Sequence, residues 1–68
     1  MTPTPRQMGK TLKWLRTRNK LSQAALAKRA GLSREYVNKI EAGRYDPPLS
    51  TLNGLAKALG VRVTELLA

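Results

Sequence analysis

The stretch LSQAALAKRAGLSREYVNKIEAG, residues 21–43, contains one pattern twice. Leu21-Ser22 opens a run that closes at Gly31, and Leu32-Ser33 opens a second that closes at Gly43. Each serine is an N-cap, because its hydroxyl accepts a hydrogen bond from an early helical N–H. The leucine before each cap can meet an apolar residue four positions into the helix, Leu21 with Leu26 and Leu32 with Val37, which fixes the chain's angle of entry. Gly31 and Gly43 tolerate the left-handed conformation that ends a helix. A turn this short does not let the two helices lie antiparallel, so they must cross steeply. The crossing requires a small residue where the backbones approach, and Ala27 stands there. With Gly31 at the turn and Val37 and Ile40 facing inward, the set reads as a helix-turn-helix.

Around this unit the remaining sequence also reads as helical. Residues 1–5, with prolines at 3 and 5, are expected to form a flexible, extended arm. That leaves residues 6–68 as the domain. A first helix is expected from about Arg6 to Arg18, with Met8, Leu12, Leu15 and Asn19 on one face and Lys10, Lys13 and Thr17 on the other. Trp14 lies off the apolar stripe and reads as a half-buried edge residue. Tyr45-Asp46-Pro47-Pro48 is a turn-rich loop that stops the third helix. Leu49, Leu52, Leu55, Ala56 and Leu59 then recur at helical spacing up to Gly60. Gly54, inside that helix, costs about 1 kcal/mol relative to Ala unless close packing requires it. Val63, Leu66 and Leu67 make a short closing helix, covering the core alone or a dimer face as well.

Composition excludes several classes of function. A chain of 68 residues makes one domain, burying about 60% of its unfolded surface. Cys and His are absent, which removes disulfides, thiolate metal sites and the commonest general base. Neither metal nor cofactor is expected, and the chain reads as a non-enzyme. No apolar run approaches the roughly 20 residues that span a bilayer, and no signal-peptide core is legible, so a cytoplasmic location without membrane attachment is expected. The net charge is +9, with a pI near 11.0. Residues 1–44 carry all of this excess, whereas Lys57 and Arg62 balance Asp46 and Glu65 in the remainder. Such asymmetry favours a polyanion-facing side, and nucleic acid is the expected polyanion.

The segments LSQAALAKRAGLS, YVNKIEAGRYDPP and LAKALGVRVTELL together resemble the Cro/repressor-type, XRE-like helix-turn-helix family, over about Gln7 to Ala68. The resemblance implies an all-α, five-helix Cro/repressor-like DNA-binding domain in which helices 2 and 3 form the DNA-binding unit. It also implies a homodimer on an inverted-repeat operator. The family usually has Ser or a similar cap where Pro48 stands, so the start of the fourth helix is expected to shift. The resemblance further pairs Arg16 with Glu41 in a salt bridge, and makes Gln23 similar to a family glutamine that meets phosphate.

A third helix lying in the major groove directs its polar face at the bases. Arg34 and Lys39 suit guanine O6/N7, Asn38 suits adenine, and Glu35 suits cytosine N4. Glu35 equally suits the positive end of the helix dipole. Backbone contacts are expected from Gln23, Ser33, Tyr36, Arg44 and Lys20. For Tyr36, a thymine methyl or the edge of the core is an equal alternative. Lys10 and Lys13 read as solvated surface charges.

The function expected is a sequence-specific transcriptional regulator of double-stranded DNA, a repressor above all. An antitoxin of a toxin–antitoxin pair, a restriction–modification controller, and a protein-interaction or RNA-binding module are the alternatives. The first of these brings a toxin as protein partner, whereas a promoter-bound regulator meets polymerase. A ligand-sensing domain has no room in 68 residues, so regulation is expected through concentration, a partner or proteolysis.

Overall fold

The computed structural model describes residues 3–68. Its helices are α1 (Pro5–Arg18), α2 (Gln23–Ala30), α3 (Arg34–Glu41), α4 (Leu49–Leu59) and α5 (Val63–Leu66), and no strand occurs among the described residues.

Local chemistry sets where each helix starts. The Ser22 hydroxyl accepts from the Ala25 N–H at 3.0 Å, and the Ser33 hydroxyl from the Tyr36 N–H at 3.1 Å. At α1 a capping box satisfies the first N–H groups in both directions. Thr4 Oγ1 accepts from the Gln7 N–H at 3.1 Å, and Gln7 Oε1 accepts from the Thr4 N–H at 2.9 Å. Pro5 occupies the first helical turn, where its missing N–H would have no partner and its φ is already suitable. Thr4 and Pro5 thus belong to the helix start and not to the expected arm. Residues 1 and 2 of that arm lie outside the described residues.

Four helices end alike. Lys20, Gly31, Gly43 and Gly60 have φ of 57°, 70°, 74° and 70°. The following N–H in each case reaches back five residues: Leu21 to the Arg16 carbonyl, Leu32 to Ala27, Arg44 to Lys39 and Val61 to Ala56, at 2.8–3.1 Å. This is the Schellman ending. Three of the four use glycine, and Lys20 adopts the same conformation despite its Cβ.

Every helix seals at least one side chain completely: Leu12 of α1, Leu26 of α2, Val37 and Ile40 of α3, Leu55 of α4, and Leu66 of α5. Ala27 is buried where α2 meets its neighbours, and Leu21 and Leu32 pack against the core as the caps require. Three expectations fail at the margins of this core. Asn19 is exposed and donates its side-chain amide to the Leu15 carbonyl at 2.7 Å, so it ends α1 instead of extending the stripe. Leu49 is 58% exposed, because helical periodicity continues one turn beyond the packed part of α4. Trp14 is 56% exposed, and its ring lies 4.9 Å from the Arg18 guanidinium in a cation–π pair that lets an aromatic ring remain in solvent. The start of α4 does not shift. Pro48 occupies the cap position, and its carbonyl accepts from Thr51 and Leu52 at 3.0 and 3.1 Å with no help from a side chain.

Two glycines show how tightly α1 is held. A Cβ on Gly9 would overlap the Ile40 carbonyl oxygen and stand 2.7 Å from that of Glu41, so α1 lies directly against the C-terminal end of α3. A Cβ on Gly54 would meet only the Ala30 carbonyl oxygen, at 3.9 Å. The same substitution should therefore have opposite signs at the two sites. Gly54→Ala is expected to stabilise by about 1 kcal/mol, and Gly9→Ala to destabilise by about 1–3 kcal/mol. Urea denaturation of both variants beside the parent checks the pair.

Candidate nucleic-acid interface

Burial of Val37, Ile40 and Glu41 orients α3, leaving Arg34, Glu35, Asn38 and Lys39 on the exposed side. These four residues and Arg44, just past Gly43, line one shallow concavity of about 280 Å³. An α-helix is about 10–12 Å across with its side chains, close to the roughly 12 Å width of a B-DNA major groove. Glu35 occupies the first turn of α3, where its charge also suits the helix dipole.

Beneath this surface lies a buried ion pair. Arg16 Nε donates to Glu41 Oε2 at 2.6 Å and Arg16 Nη2 donates to Glu41 Oε1 at 3.0 Å. Arg16 Nη1 donates to the Leu21 carbonyl at 2.7 Å. One guanidinium thus ties α1 to both α3 and the turn into α2. The side chains are 10% and 3% exposed, and no buried side-chain polar atom among the described residues lacks a partner. Full pairing is what makes a carboxylate tolerable on the inward face of a helix.

Gln23 makes contacts within the protein that the sequence did not show. Its Nε2 donates to Glu41 Oε1 at 3.0 Å, and its Oε1 accepts from Asn38 Nδ2 at 3.3 Å. The amide therefore faces inward and sideways, and joins the ion pair to the exposed face of α3. Ser33 is exposed at the start of α3, with its hydroxyl engaged as the cap. Tyr36 packs edge-to-face on Tyr45, ring centroids 5.1 Å apart and planes at 63°. Tyr45 is a participant that the sequence did not reveal, since no local signal marks a loop aromatic as the partner of a helix residue. Hydrogen bonding with Tyr36, then the charge of Tyr36, slight desolvation and Asp46, push the Tyr45 phenol above its ordinary range. Lys20 is exposed at the turn into α2, outside the concavity, as are Lys10 and Lys13 along α1.

Basic side chains also have a local role. Arg16 and Arg18, Lys28 and Arg29, Lys39, and Lys57 occupy the last turns of α1 to α4. There a cation offsets the negative end of the helix dipole.

A fold of five helices, with an exposed polar third helix braced from behind, defines a helix-turn-helix domain. The family model described as helix-turn-helix matches residues 12–66. The chain belongs to this family, in its Cro/repressor-type, XRE-like branch. An immunity repressor protein of Bacillus phage phi105 is 46% identical over 59 residues, which cover 87% of this chain but only 41% of the repressor. The restriction-modification controller protein C.AhdI from Aeromonas hydrophila superposes with a TM-score of 0.91 at 38% identity, covering 93% of this chain and 96% of the controller. The P22 c2 repressor protein, in a crystal structure with a synthetic operator, superposes with a TM-score of 0.83 at 33% identity over 88% of this chain and 91% of its own. No helix among the described residues is long and apolar enough to cross a membrane.

Truncating one partner of a buried pair leaves the other charge unpaired. Arg16→Ala is therefore expected to lower stability by about 3–5 kcal/mol, and Arg16→Lys by less, since an ammonium keeps the charge but loses the two-pronged geometry. Urea denaturation followed by circular dichroism measures both.

Proposed function

We propose that this chain is a sequence-specific regulator of transcription, a repressor above all, that binds double-stranded DNA as a homodimer with α3 in the major groove. The observation that carries this reading is the exposed set Arg34, Glu35, Asn38 and Lys39 on a helix whose other face is fixed by Arg16 and Glu41. Likeness to an operator-bound repressor supports it. Arg34 and Lys39 donate to guanine, Asn38 reads adenine, and Glu35 either accepts from cytosine or holds the helix start. Arg44, Ser33, Tyr36 and Lys20 meet phosphates, and Gln23 reaches one with the N–H not given to Glu41. The +9 charge supplies the salt-dependent part of affinity. Action is by occupancy of a promoter, excluding or recruiting polymerase, in the cytoplasm, with no catalytic step.

A controller role in restriction–modification is the second reading. It is favoured by likeness to C.AhdI, at 38% identity and a TM-score of 0.91. The binding chemistry is the same in both, and the layout of the operator separates them.

Selection of random duplex DNA by the purified protein tests the reading. The expected outcome is an inverted repeat with half-site centres about 34 Å apart, one helical turn. Salt-sensitive binding without a motif would refute it. With the motif in hand, Arg34→Ala or Lys39→Ala is expected to cost about 1–3 kcal/mol and relax one base position, whereas Arg44→Ala should weaken all sequences alike and reduce the salt slope by about 1.

A further inference from the structure

The hydrogen bonds around Gln23 have a direction. Glu41, already paired to Arg16, offers only acceptors, so the group Gln23 turns toward it must be the Nε2 amino group, at 3.0 Å. Gln23 Oε1 is then left facing α3, and it too can only accept. Asn38 must therefore present its Nδ2 amino group to Gln23, at 3.3 Å, and its own Oδ1 must lie on the other side of the carboxamide. An exposed asparagine otherwise has two nearly equivalent orientations that differ by exchange of donor and acceptor. Here the choice is made at the far end of a chain of hydrogen bonds, by the buried Glu41 carboxylate, which Arg16 holds in place.

We propose that Gln23 is a positioning residue that fixes the orientation of the Asn38 carboxamide, and with it the base pair that Asn38 accepts. The inference rests on the DNA-binding reading above. Adenine presents an N7 acceptor beside an N6 donor, and a carboxamide matches that edge only with its donor and acceptor in the right order. Fixing the order in the free protein removes the alternative orientation before DNA arrives. The role differs from a phosphate contact in its consequence: a phosphate contact adds affinity for every sequence, whereas a fixed carboxamide adds preference at one base pair.

The test is competition binding of the full chain across duplexes that carry every substitution in the selected site, for the parent, Gln23→Met, Asn38→Ala and the double variant. Methionine keeps the length of Gln23 and removes both polar groups, while Arg16 still pairs Glu41. Asn38→Ala identifies the position that Asn38 reads. Gln23→Met is expected to reduce discrimination at that same position by at least about fivefold, the lower end for one two-pronged amide contact. It should leave discrimination at the positions read by Arg34 and Lys39 unchanged, and add no further loss of discrimination to Asn38→Ala in the double variant, whatever uniform affinity its phosphate contact contributes. An equal loss of affinity for all sequences, with preference intact, would overturn the inference while leaving the DNA reading in place. A parent protein with no preference anywhere would remove both. Nuclear magnetic relaxation of the Asn38 side-chain amide in the DNA-free parent protein needs no variant to fold: order comparable to the backbone is expected, and free reorientation would overturn the proposal.

Discussion

The domain depends on one guanidinium. Arg16 makes three hydrogen bonds from a nearly dry position, two to Glu41 and one to the Leu21 carbonyl. Through them α1 is tied to the C-terminal end of α3 and to the turn before α2. Gly9 permits this closeness, because any side chain there would strike the backbone carbonyls at the end of α3. Shape and charge thus act at the same junction. The absence of a Cβ brings the helices together, and the ion pair sets how they are turned.

That junction fixes which side of α3 faces out. Val37, Ile40 and Glu41 are held inward, so the polar residues of the helix share one concavity. The exposed surface is thereby preorganised, which is the condition for discrimination between similar partners at low entropic cost. Gln23 extends the same bracing one step further, from carboxylate to amide to amide.

Most of the fold was legible because it is written in local chemistry. Ser22, Ser33, Gly31 and Gly43 mark helix ends through their own hydrogen bonds and φ angles, with no need of distant residues. The polar face of α3 followed from helical periodicity, and the pairing of Arg16 with Glu41 from family resemblance alone. What escaped was either a local signal passed over or a genuinely long-range one. The capping box of Thr4 and Gln7 stands in the sequence, but prolines on both sides of Thr4 suggested an arm. Leu49 fits the period of its helix and still points to water, since periodicity records a face and not how far the core extends. The inward turn of Gln23, the contact of Tyr36 with Tyr45, and the need for glycine at position 9 depend on elements brought together only by folding.

The shortness of α2 and α3, 8 residues each, has a consequence for cooperativity. Isolated helices below about 12–15 residues are marginal in water, so neither helix persists apart from its neighbours. The exposed face of α3 therefore has no stability of its own: α3 exists as a helix only while α1 and α2 remain packed against it. Any molecule that binds this surface in its folded form draws on the stability of the whole domain and raises it by mass action. Recognition and folding share a single equilibrium.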